Sequence, residues 1–293
     1  MIEQILIYGI ILGAIYALLA LGFTLIYGVA DVVNMSHGAL FMLGAYLFYA
    51  FGPLGPFKYH SLIAFLISVA ITSAVGAVIY LFIINPVIED VIAVLVTTVG
   101  ASLIVQQLII IQFTSFFKPV PEFIKGATTI FGAVVTYQRI ASFFIAISLF
   151  AVLWIFIKKL RVGNAMRAVA LDHEVAMLMG INTTRLYMLT MLISSAFAAV
   201  AGILISSSMA GVVFPTMWQT PLYMSFAIVI LGGLGSIKGT LIAGFIIGLG
   251  ENAVVFAFPQ GSYLRGAVAL AIMALVLLLR PRGLFGKRVE LEE

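Results

Sequence analysis

Residues 31–46 read DVVNMSHGALFMLGAY, and they place an aspartate, an asparagine, a serine and a histidine between two apolar runs. The run before them, residues 4–27, carries no charge, and the run after His37 fades at FGPLGP, residues 51–56. Whether a chain tolerates such a polar break depends on the solvent around it, and the composition indicates which solvent that is.

The composition is that of a membrane protein. Of the 293 residues, 63% are hydrophobic and 9% are charged, with a mean hydropathy of +1.23, whereas a soluble domain has roughly 25% charged residues. Such a chain cannot cover a surface that faces water, so lipid is its solvent. The apolar start is too long for a signal peptide and lacks basic residues before it, which predicts a retained first span.

Uncharged stretches separated by short polar breaks predict the membrane helices. They lie at residues 4–27, from after His37 to about residue 50, and at 61–84, 91–113, 140–157, 187–210, 220–232 and 240–257; a last span of roughly 264–279 includes Arg265. The fold class is therefore all-α, a polytopic membrane helix bundle of about 8 to 10 helices, some of them broken or re-entrant. The halves 220–232 and 240–257 are short for full spans, which favours a re-entrant pair. The β-branched stretch 128–140 predicts a short hairpin at the membrane surface.

Basic residues indicate the orientation. Five of the 15 Lys and Arg residues lie in the polar insertion 158–185, and four more follow Leu279. Short loops rich in Lys and Arg stay in the cytoplasm, so both segments are expected there.

Two glycine-containing breaks are candidates for a solute path. They are GVADVVNMSHG, residues 28–38, and GGLGSIKG, residues 232–239. Irregular backbone at membrane depth survives only inside protein or beside water, and paired interruptions in two halves of a chain are typical of transporters. The translocation-path candidates are Asn34, Ser36, His37, Gly232, Gly233 and Gly235. The alternative for the first break is an interfacial turn in which Asn34 or Ser36 caps the next helix.

The chain offers little catalytic chemistry. Its three histidines lack metal-ligand spacing, there are no cysteines, and the sequence contains no G-x-x-x-x-G-K-[ST] phosphate-binding loop. We expect no enzyme activity, no metal and no cofactor. Glu251 is a possible functional charge within a span; the alternative is a structural residue that pairs with Arg265 or faces the outer interface.

The stretch LDHEVAMLMGIN, residues 171–182, is the most specific signal in the polar insertion. Asp172 can cap a short helix, Glu174 favours its first turn, and Gly180 can end it. Such a helix, with Ala176 on one face, suits the groove of a partner. It equally suits lipid, as an interfacial helix with Met177, Leu178 and Met179 against the membrane.

The spacing of Glu174, Ala176 and Gly180 resembles the E-A-A-x-x-x-G loop of ABC importer permeases. Val175 replaces the usual second-position alanine, and the Leu-Pro that commonly follows is absent. The segments LIYGVADVVNMSHGALFMLGAY, RAVALDHEVAMLMGIN, ILGGLGSIKGTLIAGFIIGLGEN and RPRGLFGK are similar, in order, to permeases of branched-chain amino acid importers. Asp31 departs from the basic or small residue that is usual there.

This resemblance implies a permease subunit of an ABC importer for branched-chain amino acids, multi-pass in the cell (inner) membrane. Residues 1–293 would form a single transmembrane domain with a cytoplasmic coupling loop, 158–185, where Asp172, Glu174, Ala176 and Gly180 dock an ATP-binding subunit. A homologous second permease, an extracytoplasmic binding protein and membrane lipid would be its partners, and nucleic acid would not. The alternatives are a permease for urea, amides or another small solute, an ion-driven secondary transporter, and a membrane scaffold or channel subunit with no ATPase.

Overall fold

A computed structural model describes residues 2–258, 260–280 and 283–286, and within them the chain is a bundle of α-helices. The helices are α1 Ile2–Ala30, α2 His37–Phe51, α3 Ser61–Ile79, α4 Val91–Phe113, α5 Tyr137–Lys159, α6 Arg161–Val169, α7 His173–Leu178, α8 Thr183–Ile205, α9 Gln219–Gly232, α10 Ile237–Ala257 and α11 Arg265–Leu279. Short strands form two antiparallel pairs: β1 Lys118–Pro119 with β4 Val212–Val213, and β2 Ala127–Ile130 with β3 Ala133–Thr136. Single π-helical turns extend α3 to residue 84 and α8 to residue 210.

The all-α membrane bundle predicted from the sequence is confirmed. Of the described helices, six are long and apolar enough to cross a membrane, and α2, α9 and α11 are shorter apolar helices. Together they make nine membrane helices, within the expected range. The hairpin predicted in residues 128–140 is also present, as β2 and β3, although α5 begins at Tyr137.

Side-chain caps fix where several of these helices begin. The Asp90 carboxylate accepts hydrogen bonds from two backbone N–H groups of α4, and Asn182 and Ser236 cap α8 and α10 in the same way. Each cap satisfies a backbone donor that has no partner within its own helix. The starts of these helices are therefore determined by residues next to them in the sequence.

The core of the bundle is built around α1. In α1 the residues from Ile11 to Ile26 are all buried, and α10 runs antiparallel along it. Gly9 lies against Leu249, Gly13 against Gly244 and Phe245, and Gly28 against Gly235. Because glycine has no side chain, the two helix backbones approach closely, which is the usual way in which membrane helices pack.

The bundle has two distinct ends. At one end, which we call the insertion end, α1 finishes beside residues 234–238 and beside the polar insertion 158–185. At the other, the hairpin end, Tyr8 of α1 donates a hydrogen bond to the carbonyl of Val134 in β3, at 2.6 Å. There Gln138 accepts hydrogen bonds from the backbone of Phe123 and Ile124 and thereby fixes the loop that covers α2 and α3.

The break after α1 folds back into the bundle. His37, the first residue of α2, lies beside Leu19 and Gly22 of α1. These two residues come about ten residues before the end of α1. At 1.5 Å per residue this is roughly 15 Å back from the insertion end. Residues 31–36 therefore return to about half the depth of a hydrocarbon core of about 30 Å, and α2 runs from there to the hairpin end as a half-length helix of 15 residues.

A second break of this kind follows α8, and the sequence analysis missed it. Residues 211–218 leave the hairpin end, where β4 pairs with β1, and lead to α9. Trp218 lies against Gly38, and the ring centroids of Phe226 in α9 and Phe23 in α1 are 4.9 Å apart. The 14-residue α9 therefore begins near half depth and runs to the insertion end.

The two breaks make a pair of inverted units. The unit α1–α2–α3 begins at the hairpin end, and the unit α8–α9–α10 begins at the insertion end, with a half-length helix second in each. Inverted repeats with broken helices are typical of transporters. The prediction that 232–239 forms the matching half-depth break is wrong, because those residues make a turn at the insertion end. The expected short second half is also wrong, since the 21 residues of α10 are enough for a full span.

We predict that Gly248→Ala destabilises the bundle. A Cβ at this position would lie 2.5 Å from the Cα of Gly13 and 2.6 Å from the carbonyl oxygen of Gly9, so α1 and α10 would have to separate. The expected loss is about 1–3 kcal/mol of unfolding free energy, measured as a lower thermal midpoint in detergent.

Gly266→Ala is the matched control, because a Cβ at Gly266 meets nothing within 4 Å. Equal midpoints for the two variants would show that the glycine contact between α1 and α10 contributes nothing to stability.

Candidate functional site

The polar side chains of the first break are completely enclosed. Asn34, Ser36 and His37 have no exposed surface. The Asn34 side-chain oxygen accepts hydrogen bonds from the backbone N–H of Ser36, at 2.9 Å, and from its hydroxyl, at 2.6 Å, while the Asn34 amide lies 3.4 Å from the sulfur of Met191. The asparagine thus supplies the hydrogen bonds that an extended segment loses by leaving the helix.

Helix α4 satisfies the backbone next to it. The Met35 N–H donates to the Thr98 hydroxyl, and the Ser102 hydroxyl donates to the Met35 carbonyl, both at 3.2 Å. Asp31, at φ 53°, takes the left-handed conformation that ends α1, and its N–H donates to the carbonyl of Tyr27. Polar partners are therefore provided where the turn leaves α1 and where it meets α2, as a water-free interior requires.

His37 links this break to two other helices. Its Nε2 lies 2.9 Å from the carbonyl oxygen of Leu19 in α1, and its Nδ1 lies 3.4 Å from the hydroxyl of Ser194 in α8. The edge of Phe23 packs against the ring. The imidazole therefore connects α1, α2 and α8 at half depth.

These contacts correct the alternative interpretation of the break. It is not an interfacial turn, and Ser36 stands at the N-cap position of α2 without a side-chain capping bond. Asn34, Ser36 and His37 come together as a buried cluster that holds the break in place. Their assignment to the translocation path stays a prediction.

The three glycines of the second candidate segment lie elsewhere, at the insertion end. Gly233 and Gly235 have φ values of 96° and 75°, which glycine adopts without strain, and Gly232 packs against Gly239. The carbonyls of Leu231 and Gly232 accept hydrogen bonds from Leu284 and Phe285. The glycine turn thus joins α9 to α10 and receives the last described segment of the chain.

Glu251 is a buried carboxyl group of α10. It has no exposed surface, and its Oε2 accepts a hydrogen bond from the hydroxyl of Tyr16, at 3.2 Å. Its Oε1 has no hydrogen-bond partner among the described residues. This contact ties α10 to α1, which fits a structural role, although a pairing with Tyr16 rather than with Arg265 was not foreseen.

The polar insertion folds into the two short helices α6 and α7. Asp172 accepts a hydrogen bond from the Val175 N–H at 3.0 Å, and Gly180, at φ 83°, ends α7 in the left-handed conformation. Ala176 is buried against the bundle, whereas Glu174 is exposed. The predicted capping of this helix by Asp172 and Gly180 is confirmed.

The outer side of this insertion is unusually apolar. The exposed fractions are 77% for Leu171, 86% for Leu178 and 79% for Met179. A cavity of about 1430 Å³ lies between the insertion and the ends of α1, α8 and α10, with a lining of both apolar and charged residues. Its charged lining residues are Asp31, Glu89, Lys158, Arg167 and Lys238. The exposed side chains of Leu171, Leu178 and Met179 form an apolar surface on the outside of the insertion, which we call the apolar knob. On its inner side the insertion borders the cavity.

Comparison with known families agrees with this architecture. A family model described as the permease component of the branched-chain amino acid transport system matches residues 5–277. The chain belongs to this family. It is a permease subunit of the ABC importer class and a multi-pass protein of the inner membrane.

Individual relatives match the permease over nearly its whole length. It is 32% identical to the high-affinity branched-chain amino acid transport system permease protein BraD of Pseudomonas aeruginosa, with 97% of this chain and 95% of BraD covered. It is 33% identical to the corresponding protein LivH of Escherichia coli K12, with 95% and 94% covered. A probable LivH of Methanocaldococcus jannaschii is 30% identical, with 97% and 93% covered.

A solved structure shares the fold. A chain of PsaBC from Streptococcus pneumoniae, determined in complex with a Fab, superposes with a TM-score of 0.52 and covers 96% of the permease and 92% of its own length. The sequence identity is 14%, so this likeness concerns the helix arrangement alone.

We predict that Asn34→Ala destabilises the permease. The substitution removes the acceptor for the Ser36 N–H and hydroxyl inside the bundle, and an unsatisfied buried polar group costs about 1–3 kcal/mol. The measurement is the thermal midpoint and the folded yield in detergent.

Asn182→Ala serves as its control, because Asn182 also accepts a backbone hydrogen bond but at an exposed helix start. That loss should be about 1 kcal/mol. An Asn34→Ala midpoint no lower than the control's would mean that the break does not depend on this side chain.

Proposed function

We propose that this permease carries branched-chain amino acids into the cell. The observation that carries the proposal is the similarity to permeases named for this transport over 95–97% of the chain. The pair of inverted units, each with a break before its half-length helix, supports it, since transporters place their substrate path between such units. In this proposal residues 1–293 act as one transmembrane domain and do not catalyse a reaction.

The energy for transport would come from separate ATP-binding subunits. The sequence contains no G-x-x-x-x-G-K-[ST] loop, and the insertion end, with five of the 15 basic residues in 158–185, would face the cytoplasm. We assign residues 158–185 as the coupling loop. Asp172 and Gly180 would fix the ends of α7, Ala176 would seat it on the bundle, and Glu174 would face the ATPase together with the apolar knob.

Coupling of ATP hydrolysis to transport then requires that the two states of the ATPase dimer bind α7 with different affinity. If the ATPase dimer binds α7 better in its closed state than in its open state, closure moves α7 relative to the bundle. Ala176 is buried, so such a movement is transmitted directly to the helices around it. The breaks that precede α2 and α9 are where the bundle can change conformation without breaking helical hydrogen bonds.

The remaining partners would occupy the other surfaces. An extracytoplasmic binding protein would deliver the amino acid at the hairpin end, where Phe116, Phe117 and Phe131 are 67–78% exposed. A homologous second permease and membrane lipid would cover the sides of the bundle.

The direct test is uptake. We expect proteoliposomes that contain the permease, its second permease and its ATPase to take up leucine only with ATP and with the cognate binding protein. Uptake of urea or short amides instead would assign another solute. Leucine uptake driven by an ion gradient in the absence of ATP would contradict the proposal.

We also predict that Leu178→Asp abolishes binding of the ATPase. Leu178 is 86% exposed, so the substitution leaves the bundle intact but places a charge in the apolar contact. The measurement is recovery of the ATPase with the permease from mild detergent, and a loss of more than tenfold is expected.

Leu178→Met is the matched control, because it keeps an apolar side chain of similar size. Full ATPase recovery with Leu178→Asp would show that the outer side of α7 is not the coupling surface, and would favour the interfacial-helix alternative.

A further inference from the structure

Two outer faces of the bundle have the composition expected for contact with lipid. The exposed positions of α3 are all apolar: Leu62, Ile63, Leu66, Ala70, Ile71, Ala74 and Val78. Beyond its first residue, α11 is the same: Ala267, Leu270, Ala271, Ala274, Leu275, Leu278 and Leu279. Hydrocarbon offers no hydrogen bonds, so such faces are the ones that it tolerates.

Helices α4 and α9 are different. Gln107 of α4 and Gln219, Thr220 and Tyr223 of α9 are exposed, and Tyr223 is 62% exposed. The three α9 side chains share one face, because positions three and four apart are neighbours on a helix. These three form a polar face and are the exposed residues of α9, whereas α4 otherwise exposes Val, Ile and Leu apart from Gln112, one residue before its end.

The polar face lies near half depth, away from the headgroups. Tyr223 comes directly after Leu222, which lies against Gly38, and three residues before Phe226, which contacts Phe23. Phe23 is seven residues before the end of the 29-residue α1, about 10 Å inside the bundle at 1.5 Å per residue. An interfacial position for Tyr223 is therefore excluded.

The start of α9 adjoins α4. The Trp218 indole N–H donates to the side-chain oxygen of Gln106 at 2.6 Å, which joins the start of α9 to α4. Gln219 and Gln107 are the next residues along each helix. The hydrogen-bonding groups of Gln107 and of the three α9 side chains thus lie on the outside of two adjoining helices at membrane depth, where lipid would leave them unsatisfied.

We propose that Gln107, Gln219, Thr220 and Tyr223 line the aqueous translocation path at half depth, where they contact a small zwitterionic amino acid with an apolar side chain. The amide and hydroxyl groups supply donors and acceptors for the ammonium and carboxylate groups, and the Tyr223 ring gives the apolar side chain a surface. Lipid faces α3 and α11 instead. The identity of the solute rests on the proposed function, whereas the exposure of the face to water does not.

Thiol reactivity tests this assignment, because the chain contains no cysteine. Gln107→Cys and Tyr223→Cys would be compared with Leu66→Cys and Leu275→Cys, whose native side chains are both 59% exposed. Each variant would be assembled with its ATPase and second permease in vesicles and treated with a charged, water-soluble methanethiosulfonate. An apolar maleimide would verify that all four thiols are present.

The expected result is labelling at least tenfold faster at 107 and 223 than at 66 and 275, because only a thiol in contact with water ionises and the thiolate is the reactive form. Leucine with its binding protein should slow labelling at 223. Equally slow labelling at all four positions would overturn the proposal. Slow labelling at 107 and 223 together with a disulfide from either position to a cysteine of the second permease would also overturn it, because the face would then be a dry contact between the two permeases.

Leucine uptake by the cysteine-free parent in the same vesicles separates the two proposals. Uptake by the parent with slow labelling at 107 and 223 would leave the transport function intact and refute the path. Fast labelling with no leucine uptake would refute the proposed solute and leave the aqueous face established.

Discussion

Every backbone N–H and carbonyl group inside a membrane protein needs a partner within the protein, and polar side chains supply partners for the end of the turn between α1 and α2. A helix satisfies these groups by itself, but an extended segment does not. Residues 31–36 rely on Asn34 for the N–H of Ser36, and on Thr98 and Ser102 for the backbone of Met35. Without these side chains α2 could not begin at half depth.

Starting helices at half depth gives the bundle its architecture. Two half-length helices, α2 and α9, run in opposite directions from the middle of the membrane, and each follows a full-length helix of opposite orientation. The arrangement brings one extended segment from each end to the middle of the bundle, residues 31–36 from the insertion end and residues 211–218 from the hairpin end. The exposed polar side chains of α9 follow directly from the second of these breaks, since Gln219 and Thr220 are the first two residues of the half-length helix.

The sequence predicts the features that depend on local chemistry. Hydropathy locates the spans, and the caps of α7 follow from Asp172 and Gly180 because one residue type suits each position. Depth is different. The segment 211–218, GVVFPTMW, carries no charge, so hydropathy treats it as part of a span; Gly211 and Pro215 are the signals that indicate a break. Conversely, the polar Asn34, Ser36 and His37 look interfacial, because a sequence does not show that Met191, Leu19 and Ser194 surround them.

The contact between α1 and α10 has a consequence for biogenesis. Gly9 and Gly248 meet in the finished bundle but are separated by more than two hundred residues of chain. At a translation rate of about 5–20 residues per second, the first helix waits roughly 12–48 s for the helix that covers its glycines. During that interval the insertion machinery or lipid must shelter the exposed backbone of α1, so the permease reaches its final packing only near the end of its own synthesis.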